Sequence, residues 1–254
     1  MGGVIVQFLI CAVLGFLAEL IDGTAGMAYG VSSNTFLRAV GIPSAVSSAC
    51  VHISEMFTTL VSGLSHLRLK NINWKLFFML LFPGIVGGVI GAYLLVNFES
   101  RVLDIIIDLY LIVMGAVILR KAFQTLERKR EFGRYAMPLG LVGGFSDALG
   151  GGGWGPVVTS TLLASGHDPR QTIGSVNAAE FFVTVAETTT FVAMLGDLRR
   201  YLPIVAGLIV GGVIAAPIGA ILCKKLPVRW ILAGVGALIL FLNIIKLLQH
   251  TGIL

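Results

Sequence analysis

Residues 147–158 read DALGGGGWGPVV, with four consecutive glycines between two apolar stretches. Glycine is a poor helix former, and an unpaired backbone group is costly in hydrocarbon. Whether this stretch is a defect or a functional break depends on whether the chain around it crosses a membrane.

The composition of the chain is that of an integral membrane protein. Of its 254 residues, 56% are hydrophobic and only 12% are charged, and the mean hydropathy is +0.94. A soluble domain carries about 25% charged residues, so this chain has too little polar surface to face water on all sides. We therefore expect a multi-pass protein of the cell membrane that contacts the lipid bilayer.

The positive net charge follows membrane topology and does not indicate a nucleic-acid partner. The formal charge is +5, but Lys and Arg lie in short clusters between apolar stretches. The most charged stretch, RKAFQTLERKREFGR at 120–134, is expected to form a cytoplasmic loop. Three cysteines without CxxC spacing are interpreted as buried thiols. They are Cys11, Cys50 and Cys223.

Apolar segments recur along the chain at about the length of a membrane span, which is about 20 residues. The sequence predicts an all-α polytopic membrane protein with eight to ten hydrophobic segments. The second and seventh are too short to span and follow glycine-rich breaks. The predicted segments are about 4–21, 31–40, 44–66, 76–96, 102–120, 136–147, 156–165, 171–195, 201–222 and 230–249.

The second half of the chain repeats the pattern of the first. A shift of 125 residues places Asp22 on Asp147 and Glu55 on Glu180. Shared hydrophobicity alone would not align acidic residues in register, so we predict two homologous halves, as transporters commonly have. The predicted divisions are a first transmembrane repeat at 1–125, a basic cytoplasmic linker at 126–135 and a second transmembrane repeat at 136–254.

The orientation of the two halves depends on how the short segments lie. If each break and its short segment cross the membrane once, the halves are parallel. If each pair forms a re-entrant hairpin, the halves are inverted. We expect inverted halves, because paired broken helices that meet near the midplane of the bilayer recur in transporters.

The two glycine breaks form the first candidate site. They read DGTAGMAYGVSSNTF at 22–36 and DALGGGGWGPVVTST at 147–161. Glycine permits close approach, and the first N–H groups of the helix that follows attract an anion. The alternative is that the glycines serve only tight helix packing. The predicted substrate-binding residues are Gly26, Tyr29, Gly30, Ser32, Ser33, Asn34, His52, Gly151, Gly152, Gly153, Trp154, Thr159, Ser160 and Asn177.

Carboxyl groups at membrane depth form the second candidate site. Ionisable groups there are costly and normally face a cavity or a partner. Because burial favours the neutral carboxyl, Glu55, Glu180 and Glu187 are predicted to couple transport to protons, with His52 as a further candidate. The alternative is that they are neutral or paired groups that hold helices together. Asp22 and Asp147 are expected to have a structural role, in which they brace the breaks.

No enzyme motif accompanies these groups. The sequence has no HExxH, P-loop or GxSxG motif, so we expect no enzymatic activity, no cofactor and no bound metal. Arg38 and Arg170 are interpreted as markers of the membrane interface. His250 lies at a segment end without a partner at ligand spacing. The oligomeric state, monomer or homodimer, is left open.

The order of the motifs resembles that of the TauE/SafE permeases, the sulfite exporter and toluenesulfonate-uptake group. The resemblance extends over nearly the whole chain and rests on GTAGMAYG, VGIPSAV and NINW at 71–74, then on GGGGWG and SGHDPRQTIG. The second half has GDLRRYL where the first has KNINWKL. The resemblance implies proton-driven transport of small sulfur-containing anions such as sulfite, sulfonates or thiosulfate.

Two other functions fit parts of the pattern. A cation or metal permease would use Glu55, Glu180, Asp22 and Asp147 as ligands, although helix N-termini repel a cation. A non-transporting membrane assembly factor would need the breaks only for stability. We expect a secondary transporter that binds its anion between the two breaks near the bilayer midplane.

Overall fold

The chain folds into helices alone over the residues that the computed structural model describes, which are 2–98, 100–123, 133, 135–222 and 229–252. This confirms the predicted all-α polytopic architecture. A π-helical turn (Trp154–Thr159) runs into the seventh helix, and a 3₁₀ turn (Arg199–Tyr201) precedes the ninth. The helices are α1 (Gly2–Ala25), α2 (Tyr29–Ala39), α3 (Ser44–Arg68), α4 (Trp74–Asn97), α5 (Arg101–Ala122), α6 (Ala136–Gly150), α7 (Ser160–Ala164), α8 (Pro169–Leu195), α9 (Leu202–Leu222) and α10 (Arg229–Thr251).

Five of the described helices are long and apolar enough to cross a membrane. The short helices follow the breaks, because α2 has 11 residues and α7 has 5. At about 1.5 Å per residue neither reaches across about 30 Å of hydrocarbon. The five spans are Gly3–Ala25, Trp74–Asn97, Arg101–Lys121, Pro169–Leu195 and Arg199–Leu222.

Several helices begin at residues whose side chains cap them. The side chain of Asn73 accepts a hydrogen bond from the N–H of Leu76 at the start of α4. Asp168 does the same for α8, where Pro169 occupies the first helical position. A capping side chain satisfies an N–H group that has no partner within the helix. These starts fix where α4 and α8 begin, close to the predicted boundaries.

The main packing pairs are α1 with α9, α4 with α6, α3 with α8 and α5 with α10. Small residues permit the first two contacts, since a Cβ on Gly211 would collide with Ala12 and one on Gly144 would collide with Gly84. This packing through small residues is typical of helices in membranes. Under the predicted repeat, α1 corresponds to α6 and α9 corresponds to α4. The α1–α9 and α4–α6 pairs are then the same contact in the two halves.

Helices at matching positions of the two halves run in opposite directions. Along the crossing of α3 and α8, Ser62 contacts Asn177 and His52 contacts Glu187, so the two helices are antiparallel. The start of α5 likewise lies beside the end of α10. An inverted repeat requires these directions, and the repeat itself stays a prediction. Most of the predicted linker at 126–135 lies outside the described residues, as does Cys223.

Candidate functional site

The two glycine breaks lie against each other. A Cβ on Gly30, in the first turn of α2, would come within 2.5 Å of the Cα of Gly152. A Cβ on Gly155 would come within 2.6 Å of the Cα of Met27. Only hydrogen fits at these two contacts, so the breaks are packed backbone against backbone. The fold therefore brings together the two stretches that the sequence assigned to one site.

Positive φ angles mark both breaks. In the first break φ is 68° at Gly26 and 111° at Ala28, and in the second it is 63° at Gly151 and 147° at Gly152. Glycine adopts such angles freely, whereas a residue with a Cβ is strained there. The glycines of the second break thus serve its turns as well as the close contact with the first.

Each break is bonded to the Asp that opens it. Asp147 Oδ1 accepts the N–H groups of Gly153 at 2.6 Å and Trp154 at 3.0 Å. Asp22 Oδ1 accepts the N–H of Tyr29 at 3.4 Å. These contacts are of the kind that a bracing role needs, and the role stays a prediction. Two N–H groups that the sequence assigned to an anion bond to an internal carboxylate in this conformation.

The aromatic residues of the breaks are buried between helices. Trp154 Nε1 donates to the carbonyl of Val176 at 3.2 Å, and the Tyr29 hydroxyl donates to the carbonyl of Leu208 at 3.4 Å. Both side chains are fully buried. Each therefore anchors its break to a neighbouring helix in this conformation.

Asn34 joins α2 to the second break. Its Nδ2 donates to the carbonyl of Gly150 at 2.5 Å, while its Oδ1 accepts a hydrogen bond from the hydroxyl of Ser47 on α3. A Cβ on Gly151 would also collide with this amide. Asn34 thus links three elements at the point where the breaks meet.

Several hydroxyl groups near the breaks have no hydrogen-bond partner among the described residues. They belong to Ser32, Ser33 and Thr159, whose side-chain oxygens are shielded from solvent. A buried polar atom without a partner is costly, so each such group needs an explanation. Ser160 differs, because its hydroxyl lies 3.7 Å from the sulfur of Met27.

His52 lies at the centre of an ionisable cluster next to the second break. Its Nδ1 lies 2.7 Å from the carbonyl oxygen of Ser48, so Nδ1 carries a proton, since a carbonyl cannot donate one. Its Nε2 lies 2.9 Å from Glu187 Oε2 and 3.7 Å from Asp147 Oδ2. Glu55 completes the cluster, because ligand-type atoms of His52, Glu55 and Asp147 lie within 4.8 Å of one another. The cluster could share a proton or a cation.

Asn177 lies at the α3–α8 crossing and not at a break. Its Nδ2 donates to the hydroxyl of Ser62 at 2.9 Å. The predicted shift of 125 residues relates this pair to His52 and Glu187. The same crossing therefore holds an ionisable pair at one point and a neutral pair at the related point. Glu180, also on α8, is buried.

An ion-pair network at the end of α2 was missed from the sequence. Arg38 is only 3% exposed and its guanidinium lies 2.7 Å from Asp108 Oδ1 on α5. Its Nε donates to the hydroxyl of Ser44 at 3.0 Å, and Asp108 Oδ2 also pairs with His250 Nδ1 at 2.7 Å. Arg38 therefore does more than mark the membrane interface, because it holds α2 to α5, and His250 has a partner. Sequence spacing missed the network because its members come from four helices.

Glu19 is a second residue that the sequence reasoning missed. It is only 1% exposed, and neither carboxyl oxygen has a hydrogen-bond partner among the described residues. It precedes Asp22 by one turn on α1. A Glu within a mainly apolar helix was the available signal, because such groups are rare at membrane depth.

Comparison with known proteins agrees with the membrane architecture. The sequence profile of the sulfite exporter TauE/SafE family matches residues 11–245. The chain belongs to this family. This TauE/SafE chain is similar to "Probable membrane transporter protein YtnM" of Bacillus subtilis (strain 168), with 40% identity over 244 residues, 93% of this chain and 81% of that protein. No solved structure matches it.

Family and fold together give the general activity. The family is one of membrane transporters and not of enzymes, and this chain has spans that fit a multi-pass membrane protein. A transporter family implies a small-molecule substrate and a lipid surrounding. The chain is therefore a multi-pass membrane transporter.

Proposed function

We propose that this TauE/SafE chain is a secondary transporter of small sulfur-containing oxyanions or organosulfonates, sulfite-like in chemistry. The substrate binds between the two glycine breaks, near the bilayer midplane. Protons drive the transport and bind to the carboxyl cluster beside the second break. The packed breaks described above correspond to a closed conformation, and the site opens when the breaks separate.

The observation that carries this proposal is the position of the Asp147 carboxylate. One of its oxygens bonds the N–H groups of Gly153 and Trp154, while the other faces the imidazole of His52. A sulfite-like oxyanion presents the same kind of acceptor oxygen as a carboxylate and suits the same backbone N–H groups. We infer that the substrate takes the place of Asp147 Oδ1 when the breaks open.

Protonation follows from the charge around this position. Six carboxyl groups are buried on α1, α3, α6 and α8, and the imidazole of His52 contacts two of them, Asp147 and Glu187. An anion that enters this region is repelled unless some of these groups carry protons. Protons therefore enter with the substrate, with Glu55, Glu180 and Glu187 as carriers. The six are Glu19, Asp22, Glu55, Asp147, Glu180 and Glu187.

A binding screen tests the substrate class. The purified protein in detergent is heated with sulfite, thiosulfate, sulfoacetate, taurine or sulfate at two pH values, and its melting temperature is recorded. At least one sulfur oxyanion should stabilise the protein, more strongly at the lower pH, since a ligand stabilises the folded state that binds it. If none stabilises it at either pH, the proposed substrate class is wrong.

A cation permease is the second candidate, because the cluster of His52, Glu55 and Asp147 is compact enough to hold one cation. Imidazole and carboxylate ligands suit divalent transition metals. The same melting assay with Mn²⁺ or Zn²⁺ separates the two functions. Stabilisation by these ions that sulfite does not enhance would favour the cation permease.

A further inference from the structure

An apolar groove lies between α3, α4 and α8, away from the glycine breaks. It encloses about 440 Å³. Gly63 and Ala178 form its floor, where α3 and α8 pack so closely that a Cβ on Gly63 would lie 3.3 Å from the Cα of Ala178. Leucine and aromatic side chains form its walls. They include Leu60, Leu64, Leu67, Phe77, Phe78 and Phe182.

One end of the groove is bordered by exposed basic residues. Leu67 and Trp74 line the groove there, and the chain between and beside them carries Arg68, Lys70 and Lys75. All three cations are exposed, and none forms an ion pair within the part of the chain that the structure describes. Trp at the start of a span and a surplus of Lys and Arg are typical of the level of the lipid headgroups. The groove therefore runs from the headgroup level into the hydrocarbon.

Lys70 has an unusual backbone conformation. Its φ is +55°, in the left-handed region. The turn after α3 closes with two hydrogen bonds, from Lys70 N–H to the Leu67 carbonyl at 3.0 Å and from Asn71 N–H to the His66 carbonyl at 2.9 Å. Glycine is the usual residue at this position of such a turn. A lysine there is strained, and strain of this kind points to a use for the side chain.

We propose that the groove and its basic border bind one anionic phospholipid. An acyl chain lies along the apolar walls, and the headgroup phosphate pairs with Arg68, Lys70 and Lys75. The chemistry of the two ends matches that of a phospholipid, because apolar walls suit an acyl chain and unpaired cations suit a phosphate. The inference does not depend on which solute the protein transports.

The bound lipid also protects the ionisable region. Thr59 lines the groove, and its hydroxyl donates to the carbonyl of Glu55 at 2.6 Å, one turn back on α3. The Asn177–Ser62 pair lies beside the groove floor. An acyl chain along Gly63 and Ala178 thus separates the α3–α8 crossing from mobile lipid.

Lipid binding by the purified protein tests the proposal. Phosphatidylglycerol and phosphatidylcholine with the same acyl chains are titrated into protein in a neutral detergent, and native mass spectrometry counts the bound lipids. One phosphatidylglycerol should bind more tightly than phosphatidylcholine, because the phosphate of the latter is neutralised by its own choline cation, which the basic border repels. Lys70→Gly should weaken its binding about fivefold, since a cation near the headgroups contributes about that factor. Without lipid, the same variant should melt no lower than the unchanged protein, because Gly suits this turn.

Two further variants complete the test. Arg199→Gln removes an exposed cation outside the groove and should leave the preference for phosphatidylglycerol intact. Leu64→Trp narrows the groove and should weaken both lipids. Equal binding of the two lipids, or unchanged binding by Lys70→Gly, overturns the proposal even if Leu64→Trp fails to fold. Disulfide cross-linking of two copies through Leu64→Cys would instead show that a second chain covers the groove.

Discussion

Asp147 connects the glycine break to the ionisable cluster through its two oxygens. Oδ1 holds the N–H groups of Gly153 and Trp154, and Oδ2 faces His52. At the related position Asp22 holds one N–H group, that of Tyr29, at a longer distance. A change in the charge of the cluster can therefore reach the second break directly through one side chain.

Replacing Asp147 by Asn separates these two contacts. The amide oxygen can still accept both N–H groups, so the break should keep its shape, while the negative charge towards His52 is lost. We expect Asp147→Asn to flatten the pH dependence of sulfite-type binding, measured as the shift in melting temperature with sulfite at several pH values, because the carboxylate that faces His52 is lost. Asp168→Asn, at the cap of α8 and outside the ionisable cluster, is the matched control and should retain the pH dependence. An unchanged pH profile in Asp147→Asn would show that Asp147 does not link protonation to the break.

Gly152 is the position where a side chain fits least well. Its φ is 147°, and an added Cβ would collide with Gly30 and with the backbone nitrogen of Val31. Gly152→Ala should lower the free energy of unfolding by about 3 kcal/mol through overpacking and backbone strain. Gly234→Ala, at a helical position with open space around it, should be neutral or slightly stabilising. Denaturant unfolding in detergent measures both, and similar stabilities would contradict the packed contact.

At the scale of helices, the crossing of α3 and α8 carries the ionisable pair. His52 on α3 meets Glu187 on α8 at 2.9 Å, whereas the related contact is the neutral Asn177–Ser62 pair. A Cβ on Gly88 of α4 would collide with the Glu187 carboxyl group, so α4 packs directly against this ionisable pair. The crossing thus encloses one ionisable pair, which lies off its centre.

Glu187→Gln tests this position. The amide can still bond to the imidazole but cannot take up or release a proton. We expect the variant to bind substrate but to lose proton-driven transport by about tenfold or more, because the proposed mechanism uses this carboxyl as a proton carrier. Ser62→Ala removes one hydrogen bond of the related pair and should transport normally. Proton-driven transport at the unchanged rate in Glu187→Gln would remove this carboxyl from the coupling mechanism.

The end of α2 is fixed by charge. Arg38 joins α2 to Asp108 on α5, and Asp108 in turn holds His250 on α10. Removing one partner of a buried ion pair leaves an uncompensated charge, so Arg38→Met should cost about 3–5 kcal/mol of stability. Arg170→Met removes an exposed guanidinium and should cost less than about 1 kcal/mol. Equal melting temperatures of the two variants would mean that the network does not stabilise the fold.

For the molecule as a whole, local features of the sequence were sufficient to predict the elements. The lengths of the apolar segments predicted the helices. The glycines and the Asp residues that precede them predicted the two breaks. These signals lie within one segment, so no knowledge of neighbouring helices was needed. The shift of 125 residues that relates Asp22 to Asp147 also indicated that the two breaks are equivalent, and they were therefore predicted to form one candidate site.

The partners of each polar group could not be predicted in the same way. Arg38, Asp108 and His250 are up to 212 residues apart, and no spacing rule connects them. The Asp147 carboxylate accepts hydrogen bonds from N–H groups that the sequence analysis assigned to a bound anion. Both findings depend on how helices pack, and many sequences with the same hydrophobic pattern would pack differently. The related segments of the two halves also differ in charge, which a repeat does not predict.

Transport in liposomes tests proton-coupled anion transport most directly. The protein is reconstituted into sealed vesicles, a pH gradient is imposed across the membrane, and entry of a radiolabelled sulfur oxyanion that bound in the screen is followed over time. The proposed mechanism predicts accumulation that depends on the gradient, stops with a protonophore and is lost in Glu187→Gln. Anion entry at the same rate with and without the gradient, or no entry beyond that of empty vesicles, would contradict it.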